Sequence, residues 1–85
     1  MTEITETSTT KIPPIMQTRA IRVAGHPTSL RLEPLFWDLL ATYAAQQGQS
    51  LAQCLTALDA VRPPEQNLAS FVRVSVVLNL LPSKP

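Results

Sequence analysis

At 85 residues the chain can form one small domain, and a hydrophobic content of 45% excludes wholesale disorder. The single cysteine, Cys54, excludes an internal disulfide, and one Cys with one His cannot build a zinc site of nitrogen and sulfur ligands, so no metal or cofactor is expected. The formal net charge is only +1, but residues 19–32 carry three arginines and no acid, while residues 33–66 are net acidic.

A chain this short buries too small a share of its surface to be comfortable alone, and a second copy is the expected remedy. The longest apolar stretch, Leu68 to Leu81, is interrupted by Arg73 and falls short of the ~20 residues of a spanning helix. A cytoplasmic protein with no membrane contact is therefore expected, with an anionic partner permitted by the basic segment.

Residues 1–18 are rich in Thr and Ser and then meet Pro13-Pro14, so the sequence predicts a flexible tail there. Residues 19–24 can be extended, with Ile21 and Val23 on one side, before Gly25 and Pro27 punctuate the chain. Over 28–33 the residues Thr-Ser-Leu-Arg-Leu-Glu alternate. Thr28, Leu30 and Leu32 point one way, and Ser29, Arg31 and Glu33 the other, as in a strand with one buried face. No antiparallel partner for this strand is evident within easy reach, so its backbone groups are expected to pair with the same strand of a second subunit.

Pro34 suits the first turn of a helix over about 34–47, in which Phe36, Leu39, Leu40, Tyr43 and Ala44 form one stripe. Gly48 is placed to end it. Ser50-Leu-Ala-Gln53 reads as a capping box opening a helix over 50–62, with Cys54 as a small packing residue beside the stripe of Leu51, Leu55, Leu58 and Val61. Pro63-Pro64 stops that helix. Asn67 can cap a third one over 67–81, although Val72-Arg-Val-Ser-Val76 also alternates like a strand; Pro82 ends it and leaves 82–85 as a tail.

The order strand, helix, Gly-x-Ser turn, helix resembles the ribbon-helix-helix superfamily, and more narrowly its short bacterial members. The resemblance rests on Gly25-His26, Thr28 to Glu33, Phe36-Trp37, Gly48, Ser50-Leu51, Asn67-Leu68 and Arg73, and covers roughly residues 19–81. It implies a mainly helical fold with one short strand per subunit, paired as an intermolecular antiparallel ribbon in a homodimer, plus a third C-terminal helix. It further implies a DNA-binding transcriptional regulator, a repressor or antitoxin-like protein, whose ribbon enters the major groove.

Ser29 and Arg31 would then contact bases. The segment around Ser50 and Leu51 would hold a backbone phosphate at a helix N-terminus. Arg19 and Arg22 form a basic arm that can reach phosphates, and His26 can join them. Position 27, which would complete the base-reading set, is proline and offers no hydrogen bond. Leu30, Leu32, Phe36, Trp37, Leu40 and Leu55 are the expected dimer core, with Phe36 in the interior and Trp37 partly buried to one side. A module that keeps the dimeric fold but binds a protein partner instead of DNA is the alternative. No nucleophile–base set or phosphate loop points to an enzyme.

Overall fold

A computed structural model describes residues 15–82. Strands β1 (Gln17–Val23) and β2 (His26–Leu32) are followed by helices α1 (Pro34–Gln46), α2 (Leu51–Val61) and α3 (Leu68–Leu80). The expected tail over 1–18 lies partly outside the described residues, and Gln17 and Thr18 belong to β1.

The strand without an evident partner has one in its own chain. β1 and β2 form an antiparallel hairpin in which Gln17 faces Leu32, Ala20 faces Ser29 and Val23 faces His26. The connection is two residues long, with Ala24 at φ 52° and Gly25 at φ 82°. Positive φ at both central residues is the type I′ arrangement, whose twist matches that of paired strands. Asn-Gly is the usual sign of such a turn, and Ala24-Gly25 lacks it, which is why the hairpin is hard to read from the residues. The backbone N–H of Ala24 is anchored from outside the hairpin, donating to Thr56 Oγ1 of α2 at 2.8 Å.

A two-residue turn makes Val23 and His26 a hydrogen-bonded pair, and alternation makes Arg22 and Pro27 a non-hydrogen-bonded one. The N–H that Pro27 lacks would point to the open edge, so proline costs the ladder nothing here.

Facing residues share a side of the sheet. Ile21, Val23, Thr28, Leu30 and Leu32 therefore turn inward, and Val23, Leu30 and Leu32 are buried. On these sit Trp37, Leu40 and Ala44 of α1, Cys54, Leu55 and Leu58 of α2, and Val72 and Val76 of α3. The core is thus closed within one chain. Leu30, Leu32, Trp37, Leu40 and Leu55, expected as dimer core, are each no more than 3% exposed without any second copy.

In α1 the buried stripe is Trp37, Leu40 and Ala44, rotated from the expected one. Trp37 is 1% exposed and Phe36 only half-buried, the reverse of the expectation. Trp37 is drawn inward because its Nε1 donates to the Gln17 carbonyl at 2.9 Å, tying the start of β1 to α1. That acceptor exists only because β1 is present.

The helix ends follow the sequence signals. Gly48, at φ 67°, terminates α1, with Gln49 N–H donating to Ala44 O and Gly48 N–H to Ala45 O, a Schellman motif. Ser50 and Gln53 make the reciprocal capping box of α2. The Asn67 side chain accepts from Ser70 N–H, so the ambiguous 68–80 segment is a helix. Arg62 closes the α2–α3 connection, pairing with Asp59 and donating to the Gln66 carbonyl.

Candidate nucleic-acid interface

The outer face of the hairpin holds Thr18, Ala20 and Arg22 from β1 and Pro27, Ser29 and Arg31 from β2. All six are exposed. The face carries two guanidinium groups, two hydroxyls and no acid, on a two-stranded ribbon of the width that a DNA major groove admits. Ser29 and Arg31, singled out from the alternation of β2, lie side by side on it. The opposing strand contributes Thr18 across from Arg31 and Ala20 across from Ser29, so no bulky neighbour covers either.

The basic arm divides between the two faces. Arg22 is on the outer face near the turn, where its Nη1 donates to the Gly25 carbonyl at 2.8 Å. Arg19 pairs with Leu30 on the opposite face. Its guanidinium carbon sits 4.5 Å from the centroid of the Trp37 ring, a cation–π stack that fixes the arginine over α1. His26 shares the side of Val23 and lies away from Ser29 and Arg31, at the exposed start of β2.

The first turn of α2 approaches the hairpin tip. Arg22 and Gly25 line a shallow groove of about 460 Å³ with Ala52, Gln53, Thr56 and Ala57 of α2. The capping box occupies the N–H groups of Ser50 and Gln53, which leaves those of Leu51 and Ala52 pointing out of the helix end. Arg22 thus stands beside the N-terminal turn of α2, a pairing the sequence did not reveal because it needs Thr56 to hold the turn against the helix.

Two further groups matter to the integrity of this surface. Glu33, directly after β2, receives a bond from Arg73 Nε of α3 at 2.8 Å. That guanidinium holds the Glu33 carboxyl below the usual carboxylate range. Arg73 also lies over the Phe36 ring, its guanidinium carbon 5.7 Å from the centroid. Glu33 is therefore neutralised by α3 and does not oppose the charge of Arg31. Cys54 is buried, and burial pushes its thiol pKa up, as fits a packing residue. Among the described residues no three His, Cys, Asp or Glu side chains gather as a metal site, and no helix is long and apolar enough to cross a membrane.

Comparison with known proteins agrees with this architecture. No curated protein matches the chain. The solved structure of an uncharacterized protein from Bordetella pertussis Tohama I is 37% identical over 75% of the chain, with a TM-score of 0.64. The matched part covers 54% of that protein, so the present chain corresponds to about half of it. The model of the ribbon-helix-helix domain matches residues 16–80, which takes in both strands and all three helices. A two-stranded ribbon followed by capped helices, matched over that span, establishes that the chain belongs to the ribbon-helix-helix domain family.

Proposed function

We propose that the protein is a homodimeric DNA-binding transcriptional regulator, a repressor or antitoxin-like protein, that inserts its β-hairpin into the major groove. The observation that carries this reading is the outer hairpin face, where Arg22, Ser29 and Arg31 are exposed together with no acid among them. In this reading Arg31 bonds a guanine in bidentate fashion and Ser29 bonds a neighbouring base. Arg22 and the free N–H groups at Leu51 and Ala52, beside Ser50, grip a phosphate next to the tip. Arg19 and His26, on the other side of the ribbon, reach at most a flanking phosphate, and Arg19 would have to leave Trp37 to do so.

The hairpin also changes how a dimer would sit on DNA. Joining two hairpins edge to edge would give four strands, about 14 Å between the outer strand axes before side chains are added. A major groove roughly 12 Å wide admits two strands, not four. In this reading one hairpin per subunit enters the groove.

The test is fluorescence anisotropy of the protein against its own upstream DNA and unrelated DNA, at low and moderate salt. Specific binding should survive moderate salt and fall about 10–100-fold in Arg31→Ala, the cost of one bidentate base contact at ~1–3 kcal/mol. Arg22→Ala should weaken both DNAs alike and lower the salt slope by about one unit. Unchanged binding in Arg31→Ala would overturn this assignment. Absence of DNA binding, with a salt-resistant protein complex in its place, would favour the alternative of a protein-interaction module, which the low net charge of +1 also suits.

A further inference from the structure

A two-residue hairpin turn leaves the N–H and C=O groups of Ala24 and Gly25 outside the ladder. Two of these groups are engaged by side chains. The Ala24 N–H donates to Thr56 Oγ1 at 2.8 Å. The Gly25 carbonyl accepts from Arg22 Nη1, also at 2.8 Å. The turn is thus a bridge between Thr56, on the second turn of α2, and the guanidinium of Arg22, on the outer face of the ribbon. Both side chains border the same groove at the hairpin tip.

We infer that Thr56 is a positioning residue for DNA binding: by holding the turn, it fixes where Arg22 presents its guanidinium to a phosphate. The inference rests on the role proposed for Arg22 and adds the residue that arranges it.

The backbone of Ala24 carries the first part of the argument. Its φ of 52° lies in the left-handed region, which a residue with a Cβ rarely adopts. A turn built on alanine therefore tends to relax. Relaxation would rotate the following peptide units and carry the Gly25 carbonyl, the acceptor of Arg22, away from its place. The bond to Thr56 opposes that movement from a firm base, because Cys54, Leu55 and Leu58 on either side of Thr56 are buried in the core.

The second part concerns the arginine. Arg22 is exposed, so a long side chain there would ordinarily lose rotamer freedom when it meets a phosphate. The Gly25 carbonyl engages one of its five N–H donors, which orients the group and leaves the fork able to bond an anion. An arginine oriented in advance loses less on binding.

The experiment compares Thr56→Val, which keeps the shape and removes the acceptor, with Thr56→Ser, which keeps the hydroxyl. Far-ultraviolet circular dichroism selects conditions in which every variant is fully folded. In the free protein, nitrogen-15 relaxation of Arg22 Nε should report a restricted guanidinium in the wild type and Thr56→Ser, and a mobile one in Thr56→Val. Thr56→Val should bind the chain's own upstream DNA and unrelated DNA about 2–10-fold more weakly, the cost of ordering one long side chain. Its salt slope should stay that of the wild type, since the charge is still present. Thr56→Ser should bind like the wild type. In an Arg22→Ala background, Thr56→Val should have no further effect, because nothing remains to be positioned.

A Thr56 that only stabilises the fold predicts the same loss of affinity in both backgrounds, and that result overturns the inference. So does an Arg22 guanidinium as restricted in Thr56→Val as in the wild type. The DNA reading fails by different results. A wild type that binds neither DNA removes that reading, and the role in DNA binding with it, even where relaxation shows Arg22 held by Thr56. Arg31→Ala binding like the wild type, with the coupling of Thr56 to Arg22 intact, removes base reading and leaves the positioning role standing.

Discussion

Ala24 offers a direct test of the hairpin, because its left-handed backbone is needed only if β1 and β2 are joined by a tight turn. A side chain other than glycine in that region costs about 1–2 kcal/mol, and asparagine tolerates it best among the rest. Ala24 is exposed and its φ is 52°, so its methyl group packs against nothing that a substitution would lose. Its anchor to Thr56 uses the backbone N–H, which any residue except proline retains.

Ala24→Asn should therefore stabilise the domain by about 0.5–1 kcal/mol. Ala24→Gly relieves all of the ~1–2 kcal/mol of strain but frees the unfolded chain, which offsets about 0.4–1 kcal/mol, so it should also stabilise, by roughly 0.5–1 kcal/mol. Stabilisation by both asparagine and glycine relative to alanine is the signature. For a domain of this size the asparagine gain corresponds to a rise in Tm of roughly 2–8 °C. Urea unfolding at one fixed protein concentration, followed by the fluorescence of Trp37, the single tryptophan, measures it. Asparagine that leaves stability unchanged or lowers it would refute the reasoning, because residue 24 would then not occupy a type I′ turn.

Trp37→Phe should cost about 2 kcal/mol, through the lost bond to the Gln17 carbonyl and the volume vacated at a buried site. Hydrogen exchange should also accelerate at residues 17–20 more than in the helices; uniform acceleration would mean that Trp37 does not specifically anchor β1. The ion pair of Glu33 with Arg73 gives a pH dependence with a defined sign. The folded-state pKa of Glu33 is lowered, so the pair contributes stability above the unfolded carboxylate value near 4.3 and loses it as pH falls through the folded value. Acid unfolding of Glu33→Gln should accordingly show a shallower acid limb below about pH 5. A limb that superimposes on that of the wild type would show that the pair adds nothing.

Elements whose signals are local were legible in the residues alone. Proline at the first turn of α1, glycine after it, the Ser50–Gln53 box and the Asn67 cap each satisfy helix-end groups with residues a few positions away. The alternation of β2 likewise separated buried Leu30 and Leu32 from exposed Ser29 and Arg31, since side-chain direction in a strand follows from parity alone.

Features that depend on residues far apart were settled by packing. β1 became a strand because β2 supplied its hydrogen-bond partners, across a turn whose residues lack the usual Asn-Gly signal. Trp37 went inside, and Phe36 to the border, because a carbonyl of β1 lay within reach of the indole. Arg19 and Arg22, three positions apart, fall on opposite faces by parity once β2 makes their segment a strand, and packing decides that the Arg19 side is the one that meets α1. In α3, apolar residues around most of the helix could not show which side met the core; packing against α1, α2 and β2 did so, leaving Val74, Val77, Leu78 and Leu81 outside. Local chemistry fixes the ends and periodicity of an element, but which face is buried depends on what the rest of the chain brings against it.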